Sequence, residues 1–131
     1  MPRPSHERYS FINVGDIAAD ADAVKHPFFY TKNKIQIKKI FMGSKAAVAA
    51  ADTNYQNIKV MNGAVEIKKV STGPAASGQS FVAGDFVEFT PVVGTEEIPA
   101  NTNLEINYSK TGTGMAVTGL TIGIQWIDIE P

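Results

Sequence analysis

Residues 120–129 read LTIGIQWIDI, and large apolar side chains recur there at every second position. A repeat of two fits a strand and not a helix. It sends Leu120, Ile122, Ile124 and Trp126 to one face and Thr121, Gly123, Gln125 and Ile127 to the other. The same alternation marks 34–42, 56–61, 64–70 and 104–108. In 34–42, Ile35 and Ile37 oppose Lys34, Gln36 and Lys38; the phase slips at Lys39, where a bulge or a sheet edge is expected. Asn62-Gly63 between two alternating runs is the strongest short signal for a hairpin.

The remaining segments agree with a β fold. Residues 10–14 are β-prone and Gly15-Asp16 reads as the turn that closes them, while 17–24 is open between extended chain and helix. His26-Pro27 steers the chain away from helix into the aromatic run Phe28-Phe29-Tyr30. Residues 44–52 (SKAAVAAAD) allow a helix of about two turns or an ordered loop. Residues 71–80 form a Gly/Ser/Ala/Pro loop, 81–93 return to β-rich sequence, and 95–101 reads as a connection. Roughly eight short strands without strong amphipathic helices predict an all-β antiparallel sandwich of the jelly-roll kind. The expected organisation is one domain over 10–131, preceded by a loosely held N-terminal arm, 1–9.

Composition narrows the function. Twelve Lys and Arg against thirteen Asp and Glu give a net charge of −1, which supplies no electrostatic footprint for nucleic acid. No apolar run approaches the ~20 residues of a membrane-spanning helix. Cysteine is absent, which removes disulfides, thiolate nucleophiles and Cys-based zinc sites. The start, MPRPSHERYSF, lacks the apolar core of a secretory signal, so an intracellular product is expected.

No segment carries chemistry, and the expectation is a non-enzyme without metal or cofactor. The stretch 109–119 (SKTGTGMAVTG) invites a phosphate-loop reading. Its glycine spacing departs from the dinucleotide fingerprint, and a strand follows it where an anion site needs a helix N-terminus. It reads instead as a long hairpin connection from the strand ending near Tyr108 to the strand from Leu120, an exposed and mobile tip built on Gly112 and Gly114. Asp20, Asp22 and His26 are metal-ligand types whose spacing fixes no geometry. Neither histidine has a Gly-x-Ser-x-Gly elbow to serve, and Glu96-Glu97 point to opposite sides of an extended chain. Lys34, Lys38, Lys59 and Lys68 read as solvated charge. Trp126, Tyr108 and Tyr55 could make a sugar-stacking platform, although the face Trp126 shares favours a core or interface role.

From Ile98 onward the run IPANTNLEINYSKTGTGMAVTGLTIGIQWID resembles the C-terminal half of small jelly-roll proteins that decorate bacteriophage heads. The Gly-Asp step, the His26-Pro27-aromatic segment and the Ala-rich loop are similar in organisation. The resemblance implies a structural virion protein that cements a bacteriophage capsid. It would be made in the host cytoplasm, sit on the capsid exterior, and bind the major capsid protein between neighbouring capsomers as a homotrimer. It implies no catalytic residues. Contact candidates, chosen by location, are Arg3, Arg8 and Tyr9 in the arm, loop 44–55 with Tyr55, loop 71–80, Gly112 and Gly114 at the tip, and Trp126. Two alternatives stay open: a carbohydrate-binding sandwich or phage-fibre domain carried by the aromatics, and a cupin-like metal protein carried by Asp20, Asp22 and His26.

Overall fold

Each alternating segment becomes a strand in the structure, a computed structural model that describes residues 7–129. The strands are β1 (Arg8–Ile17), β2 (Val24–Thr31), β3 (Ile35–Gly43), β4 (Tyr55–Asn62), β5 (Val65–Ser71), β6 (Phe86–Phe89), β7 (Glu97–Ile98), β8 (Thr102–Thr111) and β9 (Val117–Asp128). Among the described residues there is no helix, and so none long and apolar enough to cross a membrane.

One sheet has the order β1-β9-β3-β6, with β7 also on β3; the other runs β2-β8-β4-β5. Every pairing is antiparallel. Apart from the β4–β5 hairpin and the β6–β7 step, each connection crosses from one sheet to the other, which is the winding of a jelly roll. The connections 18–23, 44–54, 72–85 and 112–116 therefore gather at one end of the sandwich. The start of β1 and the end of β9 lie at the other.

The inward side chains of both sheets form one core. Ile40, Met42, Leu120, Ile122 and Ile124 come from the first sheet, and Ile58, Val60, Leu104 and Ile106 from the second. All are fully buried, at roughly 1.5–3 kcal/mol of transfer free energy for each side chain. The phase slip at Lys39 is a bulge: Ile37 pairs with Trp126 but Lys39 with Gln125, so Lys38 is the extra residue. β3 is nonetheless an interior strand, flanked by β9 and by β6 and β7. Pro27 stands in β2, an edge strand, where a missing N–H breaks no ladder.

Several expectations change. β1 begins at Arg8, so the last two residues assigned to the arm are strand. Gly15-Asp16 does not end that strand. Gly15, with φ near +97°, sits between two register shifts as a bulge, and pairing continues to Ile17. The alanines of 44–52 form no helix, because Val48 is tied by a bridge to Phe81. Asn62 pairs with Val65, so the hairpin loop is Gly63-Ala64, one residue later than expected. Glu97–Ile98 pairs with β3 inside the presumed connection.

The largest correction concerns 109–119. β8 and β9 belong to different sheets, so residues 112–116 cross the sandwich and make no hairpin. Gly112 and Gly114 do adopt positive φ. Both have close neighbours, and while Gly114 is buried, Gly112 remains exposed. A Cβ on Gly114 would lie 1.7 Å from the Ala19 carbonyl oxygen, and one on Gly112 would lie 2.4 Å from that of Thr53.

Candidate functional site

Register decides what the outer face of the first sheet presents. Past the Lys38 bulge, Tyr9, Gln125 and Lys39 share one outward row across β1, β9 and β3. The next row is Phe11, Gly123, Phe41 and Glu88, and the third is Asn13, Thr121, Gly43 and Phe86. Four aromatic side chains from three strands thus emerge on the solvent side. Tyr9, Phe11 and Phe86 stay 55%, 48% and 50% exposed.

The rings touch one another. Phe11 lies 5.1 Å from Phe86 and 5.8 Å from Phe41, centroid to centroid, and Tyr9 is parallel to Phe11 at 6.5 Å. Phe11 starts on β1 and Phe86 on β6, with two strands between them. They meet because those strands carry glycine where each ring crosses. A Cβ on Gly123 would fall 2.2 Å from the Phe11 ring, and one on Gly43 would fall 3.1 Å from that of Phe86. Glycine inside a strand weakens the strand and often marks a close approach, and here the approaching groups are these two rings.

Polar groups frame the aromatic face. Lys39 pairs with Glu88 at 3.3 Å, and Gln125 Nε2 donates to Glu7 Oε2 at 2.6 Å. Beyond Phe86 the face runs into a cleft of about 270 Å³ lined by Asn13, Ser44, Lys45 and Asp85. Nothing in this arrangement pairs a nucleophile with a base. Its chemistry is that of contact: rigid rings with low entropy to lose, charge at the margin, and an exposed apolar surface of the kind that marks an interaction site.

The residues singled out from sequence fall in separate places. Arg3 lies outside the described residues. Tyr9 belongs to the aromatic face. Arg8 and Trp126 are partners across β1 and β9, with the guanidinium 5.3 Å from the indole centroid and 3.3 Å from Asp128. Trp126 is half-buried at the end of the core, edge-on to Phe29 of the other sheet at 5.5 Å. Tyr55, Gly112 and Gly114 lie at the opposite end, where Tyr55 pairs with Thr111 and packs against Gly73.

The suggested sugar platform is not assembled. Tyr108 points into the core from the second sheet; its hydroxyl is buried without a partner, and burial pushes the phenol above its ordinary pKa of 10.0. Asp20, Asp22 and His26 are all exposed, and Asp22 accepts from the Lys110 N–H at 3.2 Å. Among the described residues no group of three or more metal-ligating side chains comes together.

Phe11, Phe41 and Phe86 are the functional candidates that sequence reasoning missed. The slip at Lys39 holds the signal for Phe41, since it moves Phe41 off the inward face of Ile35 and Ile37. Tyr9-x-Phe11 held the signal for β1.

No protein-family model matches the chain, and no curated protein does. Some chains of solved structures match it. One belongs to the structure of infectious bursal disease virus, Gx strain, with a TM-score of 0.39 and 8% sequence identity over 92% of this chain and 33% of that one. The present chain thus spans one third of that chain's length.

Proposed function

We propose that this chain is a structural virion protein that decorates and stabilises a bacteriophage capsid, bound between neighbouring capsomers as a homotrimer. The reading places it on the capsid exterior with the major capsid protein as partner. It gives the chain no catalytic role.

The observation that carries the reading is the aromatic face. Cross-strand ring pairs give a protein working alone in water only about 0.2–1 kcal/mol each, a small return for three rings left half-exposed over glycines that weaken the strands beneath. The jelly-roll winding and the resemblance of 98–128 to head-decorating proteins support the same reading, although winding alone does not assign function.

Magnitudes favour a lattice over a free pair. Each half-covered ring leaves about 100 Å² to be buried. Covering three is worth about 7 kcal/mol, which falls within the cost of association, roughly 4–15 kcal/mol. One face therefore binds weakly by itself, and a trimer offering three such faces to a regular shell gains by avidity.

Sedimentation velocity together with co-sedimentation on empty heads tests the proposal. A concentration-dependent trimer that pellets with heads is expected. A strict monomer at high concentration that stays in the supernatant would sink it.

A further inference from the structure

We propose that the hollow at the end of the sandwich where β1 starts and β9 ends binds a neutral saccharide. This inference uses a surface separate from the aromatic face and does not rest on the virion reading.

The hollow measures about 470 Å³, within the usual size of small-ligand sites, roughly 300–1,000 Å³. Its floor spans both sheets, because Phe29 of β2 meets Trp126 of β9 edge to face. The indole Nε1–H is buried beneath that floor and has no hydrogen-bond partner. Above the floor Arg8 is fixed twice, over the indole ring and against Asp128. Lys32 and Asn33, from the exposed bend after β2, complete the rim.

Chemistry selects the ligand class. Asp128 neutralises Arg8 inside the hollow and would repel an anion there, which leaves Lys32 on the exposed rim as a single cation, too little to commit the hollow to phosphate or sulfate. A wholly apolar ligand would strip water from Arg8, Asp128 and Asn33 and give nothing back. A sugar ring suits both parts: its C–H face covers aromatic carbon, and its hydroxyls both donate and accept. Asp128 engages only part of a guanidinium with five N–H donors and keeps acceptor capacity of its own, so Arg8 and Asp128 can bind adjacent hydroxyls.

Trp126 is the one tryptophan of the chain, so its fluorescence reports on this hollow alone. The full chain is titrated with lactose, cellobiose and N,N′-diacetylchitobiose, and with sodium sulfate as an anion. At least one disaccharide should shift the emission saturably with a Kd of about 0.1–1 mM. Asp128→Asn and Asn33→Ala should each weaken that binding about fivefold or more, the worth of one hydrogen bond, without lowering the thermal midpoint. Should Asp128→Asn fail to fold, Asn33→Ala in its exposed bend decides the point. No saturable response to any of the three sugars, a response to sulfate alone, or full affinity in the variants would overturn the proposal. Each of these outcomes leaves the head-binding test untouched.

Discussion

The two sheets share one core but show solvent opposite faces. The second sheet presents Lys25, Asn107, Lys59 and Lys69 in one outward row and Pro27, Glu105, Met61 and Glu66 in the next. Farther along, Asn57 is buried and satisfied within the protein: its Nδ2 donates to the Ser109 carbonyl at 3.0 Å and the Ser71 hydroxyl donates to its Oδ1 at 2.6 Å. The charged rows are how a β-sandwich meets water. The first sheet carries Tyr9, Phe11, Phe41 and Phe86 in the equivalent place. Core packing is satisfied in both, so the fold does not require the aromatic face, and the difference points to a partner on that side only.

Replacing rings on the aromatic face should have the largest effect. A Phe11→Ser/Phe86→Ser double variant removes two interfacial anchors, worth about 2 kcal/mol or more each, and should weaken head binding by roughly several hundred-fold or more. Co-sedimentation reads the loss, and a thermal melt should show the domain still folded. A collapsed fold with binding intact would make the face structural and end the contrast between the sheets.

Next in size is Gly123→Ala. Its Cβ must displace the Phe11 ring, an overpacking that costs about 1–3 kcal/mol in urea unfolding. Added to Phe11→Ala, the same change should cost much less, because the two sites share one contact. Additive costs would mean that Gly123 is present for some reason other than the ring.

These predictions also mark where the sequence was legible. Alternation revealed the strands, the hairpin and the slip at Lys39, since each is a local consequence of a repeat of two. Sheet membership was hidden: a glycine-rich link between two strands reads alike whether it turns back within a sheet or crosses to the other, and 112–116 crosses. The aromatic face was hidden for a related reason. It needs the register of β1, β9, β3 and β6 together, and Tyr9 reads in sequence as part of an arm. Gly43 and Gly123 acquire meaning only once Phe86 and Phe11 are seen above them.

A smaller effect tests what lies beneath the second sheet. Tyr108→Phe removes a buried hydroxyl that has no partner and should leave stability unchanged or raise it by up to about 1 kcal/mol. Burial raises the folded pKa of this phenol, so the unfolded chain loses its proton first. The associated stability is whole below pH 10.0 and is lost as pH rises from there through the folded pKa. Urea unfolding at neutral and alkaline pH should therefore show a shallower alkaline decline in Tyr108→Phe than in the parent. The smallest effect belongs to Lys59→Ala, which should alter stability by no more than about 0.5 kcal/mol and head binding not at all.

Hydroxyl-radical footprinting of the free protein and of the particle-bound protein compares both faces in one sample. The account predicts that Tyr9, Phe11, Phe41 and Phe86 become protected on the particle while Met61, on the outer face of the second sheet, oxidises as before. Equal oxidation of the four rings in both states, or protection of Met61 in their place, would contradict it.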